Sequence, residues 1–237
     1  MAATDDPRWL PLESNPDSFN RWSASLGLDT SPPNGYRFAD IWGLDPELLQ
    51  FVKKPVKAVL MLFPVTPEYE QMRKQQDQDV LEHGVQGVQD VIYFKQTIAN
   101  ACGTFALLHT LANTDVPLKE GPLTELFAQC HDKTPLERAQ LLTTANELER
   151  VHEETAHGGQ TAAPSLEEDT DLHFVSFVEH NGYLIELDGR RNSPINHGKI
   201  KKDLLEDTVE VVKRIMELTQ SIQFNLVALS PATDDDE

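Results

Sequence analysis

The sequence predicts an α+β or mixed-sheet α/β domain, on three observations. Helical and strand-like patterns alternate along its 237 residues, with no internal repeat and no dividing linker. One apolar run, Ala58 to Val65, is far too short to span a bilayer and reads as a buried strand. Asn181-Gly182 sits between two apolar strand patterns, the strongest two-residue hairpin signal. Hydrophobic residues make up 39% of the chain, enough for a sizeable core.

In chain order, "NPDSFNRWSASLGL" reads as a helix with Asn15 as N-cap and Pro16 in the first turn. "LDPELLQFV" repeats that device with Asp45 and Pro46. "VKAVLMLF" is a strand, and "TPEYEQMRKQQDQDVLEHG" is a polar helix closed by Gly84. "VIYF" reads as a short strand leading into "QTIANACGTFALLH", where an apolar helix begins near Cys102. "PLERAQLLTTANELERVHEET" is one long amphipathic helix. The stretch from Ala156 to Asp171 has neither helical nor strand period; a loop that long is a mobile surface segment or a gate beside a site. "LHFVSFVEHNGYLIELDG" is the hairpin, "KKDLLEDTVEVVKRIMELT" an amphipathic helix, and "FNLVALS" a last strand.

The net charge of −19 repels nucleic acid and anionic membrane and attracts a basic partner. Part of it lies in the terminal "TDDDE", which reads as a solvated tail. The acidic start, broken by Pro7, does not resemble a signal peptide. Two cysteines give neither a disulfide framework nor a metal quartet. These features predict a soluble, reduced, intracellular protein without a metal.

Cys102 is the residue with the most chemistry to offer. With Asn100 as N-cap, its thiol falls in the first turn of a helix, where the macrodipole and free N–H groups favour the thiolate. A small buried residue at a helix start is the alternative. Cys130, near a helix end, reads as structural. Among the eight histidines, His109 is two helical turns from Cys102, roughly 10 Å, too far for a base. His83, His131, His152 and His180 fall at helix ends or turns, where histidine is solvated. His157, in the long loop, stays open as a base, and His197 lies in a loop with no acid adjacent. For His173 the hairpin decides. A two-residue turn at Asn181-Gly182 sets Asp188 opposite Val175, and makes His173 and Asp188 diagonal neighbours with Cβ atoms roughly 7 Å apart. That is a base with its orienter, as in a nucleophile triad; a chance meeting of a surface His and a turn Asp is the alternative. Gln96 could form an oxyanion hole with the Cys102 N–H, though an exposed loop glutamine is equally ordinary.

"QTIANACGT", "DLHFVSFV" and "ELDGR", in this order, resemble the ubiquitin C-terminal hydrolases, cysteine deubiquitinases of papain-like catalytic arrangement. The likeness covers nearly the whole chain, through "RWLPLESNPDSFNRW", "DPELLQFV", "AVLMLFPVT", "AHGGQTAAPS", "PINHG" and "FNLVALS". The resemblance implies Cys102 as nucleophile, His173 as general base and then acid, Asp188 as its orienter and Gln96 in the oxyanion hole. It implies an α/β/α fold with a mostly antiparallel sheet between helices, on a knotted backbone. A single catalytic domain over 1–231 is expected, with a crossover loop at about 152–170 and an acidic tail over 232–237.

Ubiquitin contacts in relatives map onto three segments of this chain. One is Pro11, Leu12, Glu13, Ser14, Asn15 and Pro16. The second is Ala156, His157, Gly158, Gly159, Gln160, Thr161, Ala162 and Ala163. The third is Ser221, Ile222, Gln223, Phe224, Asn225 and Leu226. The implied activity is hydrolysis at the C-terminal glycine of ubiquitin, releasing small or flexible adducts, by a cytoplasmic or nuclear monomer that needs no cofactor. A non-catalytic ubiquitin-binding module and a hydrolase of another ubiquitin-like modifier are the alternatives.

Overall fold

The computed structural model describes residues 7–160 and 170–234. Its elements run α1 (Pro16–Leu26), β1 (Tyr36–Asp40), α2 (Pro46–Leu49), β2 (Ala58–Pro64), α3 (Pro67–His83), α4 (Cys102–Ala112), α5 (Pro122–Gln129), α6 (Pro135–Leu142), α7 (Asn146–His157), β3 (Leu172–His180), β4 (Tyr183–Leu187), β5 (Ile195–Lys199), α8 (Leu204–Thr219) and β6 (Asn225–Pro231). The strands form one sheet in the order β1-β6-β2-β3-β4-β5, and every pair is antiparallel.

The composition of β2 explains its central place. Ala58 and Leu60 enter the core shared with α1 and α4, while Val59, Met61 and Phe63 enter the core shared with α8. Covering both faces of Val59, Leu60, Met61 and Phe63, at roughly 1.5–3 kcal/mol per large side chain, holds this strand inside the sheet. The layers are therefore α/β/α, as expected. The hairpin also has the expected register: His180 pairs with Tyr183 and Ser176 with Leu187. Asn181 and Gly182 both have positive φ, 52° and 80°, which a two-residue turn of matching twist demands. At α1, Asn15 accepts a hydrogen bond from the Asp17 N–H.

Several elements differ from expectation, each for a local reason. "VIYF" is no strand. Its backbone groups bond to side chains of α4 and its C-cap instead: Ile92 N–H donates to Asn113 and Phe94 N–H to His109. The long helix is broken between α6 and α7. There the Thr143 and Thr144 hydroxyls donate back to the Gln140 and Leu141 carbonyls, competing with helix continuation. α7 then runs through His157, so Ala156 and His157 are helical and the loop starts at Gly158 rather than near residue 152. "INHGK", read as loop, is β5, and β1 was not foreseen; both are short edge strands with weak patterns. β6 ends at Pro231, and just beyond it the buried Ala232 donates its N–H to the Gly35 carbonyl.

α3 is polar on nearly every side; only Tyr69 is buried. What fixes it is charge: Arg73 bridges Glu70 and Asp77 on its own surface, and Asp77 and Gln76 bind Arg191 across from it.

Candidate active site

β3 and β4 set the first two groups. His173 starts the buried part of β3 and Asp188 follows the last residue of β4. The predicted diagonal is closed: His173 Nε2 lies 2.7 Å from Asp188 Oδ1, and both side chains are buried. With Nε2 engaged by Asp188, Nδ1 is the nitrogen left to act on Cys102, and the two side chains shift one another's titration. Phe63, paired with His173 across the ladder, packs edge-on against its ring at 6.1 Å.

Cys102 is the first residue of α4, but Asn100 is not its cap. Asn100 takes a left-handed turn (φ 61°), and Ala101 holds the cap position with no side chain to offer. The backbone of Gly103 and of Phe174 lies beside Cys102 and lowers its thiol. Gly103 is closely packed: a Cβ there would sit 3.1 Å from Leu12 Cβ and 3.4 Å from the Phe174 ring, so a neighbour would have to give slightly.

The charges follow from these contacts. Burial pushes the Asp188 carboxyl up, but the charge and hydrogen bond of His173, the Arg190 N–H and the Arg191 charge outweigh it and hold it well below the usual carboxylate range. Burial pulls His173 down, yet Asp188 and Cys102 raise it to about 9. Burial raises the Cys102 thiol, and His173 with the two backbone amides brings it below its ordinary value. These shifts favour a thiolate–imidazolium pair with a buried carboxylate behind it, the arrangement of a nucleophilic catalyst.

Gln96 lies against the same turn. Its N–H donates to the Gly189 carbonyl at 2.8 Å, and a Cβ on Gly189 would come within 2.9 Å of Gln96 Cβ. Its side-chain amide donates to the Ile98 carbonyl at 3.1 Å, in the turn ahead of Cys102.

Other histidines take unforeseen places. His109 is buried, accepts from the Phe94 N–H and stacks on Tyr93; burial lowers it to about 4, and it is packing, as expected. Cys130 is buried with its thiol pushed up to about 11, in keeping with a structural role. His152 is not solvated at a helix end but buried within α7. His197 does have an acid partner, Glu186 at 2.8 Å. Sequence reasoning missed the cluster behind Asp188. Arg191, wholly buried, reaches Asp77 at 2.7 Å, Gln76 at 2.8 Å, Glu186 at 3.4 Å and Asp188 at 3.8 Å. Tyr93 donates its hydroxyl to the carbonyls of Asp188 and Arg191. Placing "INHGK" as a strand beside β4 would have shown His197 near Glu186; nothing local marks Arg191.

The three segments assigned to partner contact meet at one rim. Ser14 donates to Asn225 at 2.6 Å, and the Gln160 N–H donates to Glu13 at 2.8 Å. Leu12, Ala156 and Leu226 are buried, so they support this rim rather than present side chains to a partner. Thr161, Ala162 and Ala163 lie outside the described residues. Ile222, 90% exposed, and Trp42, 79% exposed, line one shallow cleft with Phe224 and Asn225.

Comparison with known proteins gives one consistent picture. A family model described as ubiquitin carboxyl-terminal hydrolase, family 1, matches residues 9–217. Ubiquitin carboxyl-terminal hydrolase 3 of Arabidopsis thaliana is 41% identical, over 98% of this chain and 97% of its own length. The rat ubiquitin carboxyl-terminal hydrolase isozyme L1 is 35% identical over 94% and 98%. Among solved structures, the Trichinella spiralis UCH37 catalytic domain bound to ubiquitin vinyl methyl ester superposes with a TM-score of 0.76 and 27% identity, covering 95% of this chain and 96% of that one.

Proposed function

The chain belongs to the ubiquitin carboxyl-terminal hydrolase family, and from that premise we propose how its residues perform the reaction. It is a thiol-dependent hydrolase acting at the C-terminal glycine of ubiquitin. The observation that supports the assignment of roles is the buried His173–Asp188 pair, 2.7 Å between imidazole and carboxylate, with Cys102 and His173 shifting one another's titration.

The Cys102 thiolate attacks the carbonyl carbon of the terminal glycine, forming a C–S bond and moving the carbonyl electron pair onto oxygen. The Cys102 N–H and the Gln96 amide receive that oxyanion; each such donor is worth up to about 10²–10³ in rate. The intermediate collapses, the bond to the leaving amine breaks, and His173 gives the amine its proton. His173, now neutral, takes a proton from water, and the hydroxide displaces Cys102 from the thioester. Asp188 holds the ring and stabilises its charged form.

Recognition rests on the rim. Asp17 and Asp40 are carboxylates beside the Ser14–Asn225 contact. Burial raises Asp40, with Asn225 opposing and Asp17 adding to the rise, so a cation is welcome there. The acidic surface steers a basic ubiquitin tail, and Trp42, Ile222 and Phe224 offer it an apolar seat. Two free thiols suit a reducing compartment, supporting action in the cytoplasm and nucleus, and we take the acting form to be a monomer. No helix among the described residues is long and apolar enough to cross a membrane.

Fluorogenic amides of ubiquitin and of a ubiquitin-like modifier test the substrate. Ubiquitin is expected to give the higher kcat/KM by at least about 10²-fold; comparable rates for the two would reject ubiquitin as the preferred substrate. The pH profile follows from the charges. Turnover needs thiolate and imidazolium together, so kcat/KM falls below the lowered Cys102 value and falls again as His173 loses its proton near 9. Activity still rising at pH 10 would contradict His173 as the acid.

A further inference from the structure

We infer that His152 is a positioning residue: its neutral imidazole, through Thr104, holds the first turn of α4 and so the place of Cys102. The need arises from the helix itself. α1, α3, α6 and α8 begin with side-chain caps, from Asn15, Thr66, Thr134 and Asp203. α4, like α2, α5 and α7, has no side-chain cap bond; Ala101 stands at its cap. A side-chain cap would compete for the first-turn amides, and at α4 the Gly103 backbone helps lower the Cys102 thiol instead. A turn left open for chemistry frays unless something else secures it.

Two contacts do so. Thr104, two residues after Cys102 and fully buried, lies with its hydroxyl 2.7 Å from His152 Nδ1. His152 Nε2 lies 2.9 Å from the Leu10 carbonyl, which only accepts, so Nε2 carries the proton and Nδ1 accepts from Thr104. Burial lowers His152 to about 4, with the Leu10 carbonyl opposing, which keeps this tautomer neutral through the working range. The ring packs on Trp9 with centroids 4.3 Å apart. On the same turn Leu12 abuts Gly103. One imidazole thus joins α4, α7 and the segment leading into the rim.

The inference rests on Cys102 as the nucleophile, which loss of turnover on alkylation of the unmodified enzyme decides separately. Thr104→Val keeps the side-chain shape and removes the hydroxyl, Thr104→Ser keeps the hydroxyl, and His152→Gln keeps a donor for Leu10 while replacing the fixed ring acceptor of Thr104 by an amide oxygen on a flexible chain. Three quantities are read for each below its melting transition: kcat and KM on a fluorogenic ubiquitin amide, the iodoacetamide alkylation rate at Cys102 by mass spectrometry, and the thermal midpoint. Thr104→Val and His152→Gln are expected to lower kcat and the alkylation rate about tenfold, with KM within about twofold. Thr104→Ser should restore both, and the double variant should be no worse than either single one. Wild-type kcat and alkylation in a Thr104→Val protein of lowered midpoint, or an effect confined to KM, would overturn the inference.

Discussion

Cys102→Ala will abolish hydrolysis of ubiquitin C-terminal amides while leaving the protein folded. Removing the nucleophile of a triad costs about 10⁶ in kcat, about as much as removing the whole set. Alanine keeps its Cβ in the core cluster that also holds Leu12 and Phe174 and removes only the sulfur, so the α4–β3 contact survives. Cys102→Ser is informative in a different way. The hydroxyl fits, but its pKa lies far above the thiol's. The His173 pair and the amides that lower Cys102 therefore cannot ionise it, and turnover falls by several orders as well. Initial rates on a fluorogenic ubiquitin amide, with thermal midpoints as the control for folding, measure both. Activity within a hundredfold of wild type in the alanine variant would remove Cys102 from the mechanism.

Asp188→Asn should lower kcat/KM by about 10⁴, the order seen when a triad carboxylate becomes an amide. The carboxylate does three things here. It accepts from His173 Nε2, it accepts from the Arg190 N–H, and it helps neutralise the buried Arg191. Asparagine can mimic the first only by turning its oxygen to His173, and it cannot stabilise the imidazolium. Burial is then opposed by Cys102 alone, so His173 drops from about 9, and the alkaline limb of the pH profile moves to lower pH. The fold weakens too, by up to about 3 kcal/mol, because Arg191 keeps only Asp77 and Glu186 as charged partners. Rates across pH and urea unfolding test the two effects separately. A variant within tenfold of wild type and with an unmoved alkaline limb would show that Asp188 does not orient His173.

How much of this was written legibly in the sequence depends on the range of each interaction. The His173–Asp188 pair was readable because one Asn-Gly turn fixes the register of the strands that carry both residues. The start of α4 was readable to within a residue, but its cap was not. Asn100 was assigned the side-chain role asparagine often plays, whereas it uses asparagine's other property, tolerance of a left-handed backbone. Gln96 looked ordinary because its place depends on Gly189, far along the chain and touching it only in the fold. Arg191 and His152 were opaque for a related reason. Burial of a polar side chain leaves no local periodicity, and the partners that make it tolerable come from α3, β4, α4 and the Leu10 backbone. The break between α6 and α7 turned on threonine side chains competing with the backbone, which an apolar pattern does not register.

The sheet order sets a timetable for synthesis. β6, formed by residues 225–231, lies between β1 and β2, so neither early strand has its inner neighbour until those residues have left the ribosome. Cys102, His173 and Asp188 all emerge earlier. What waits is β1: it pairs with β6 alone, so its edge stays unpaired through the synthesis of nearly the whole chain and must be kept from other chains until residue 231 is out.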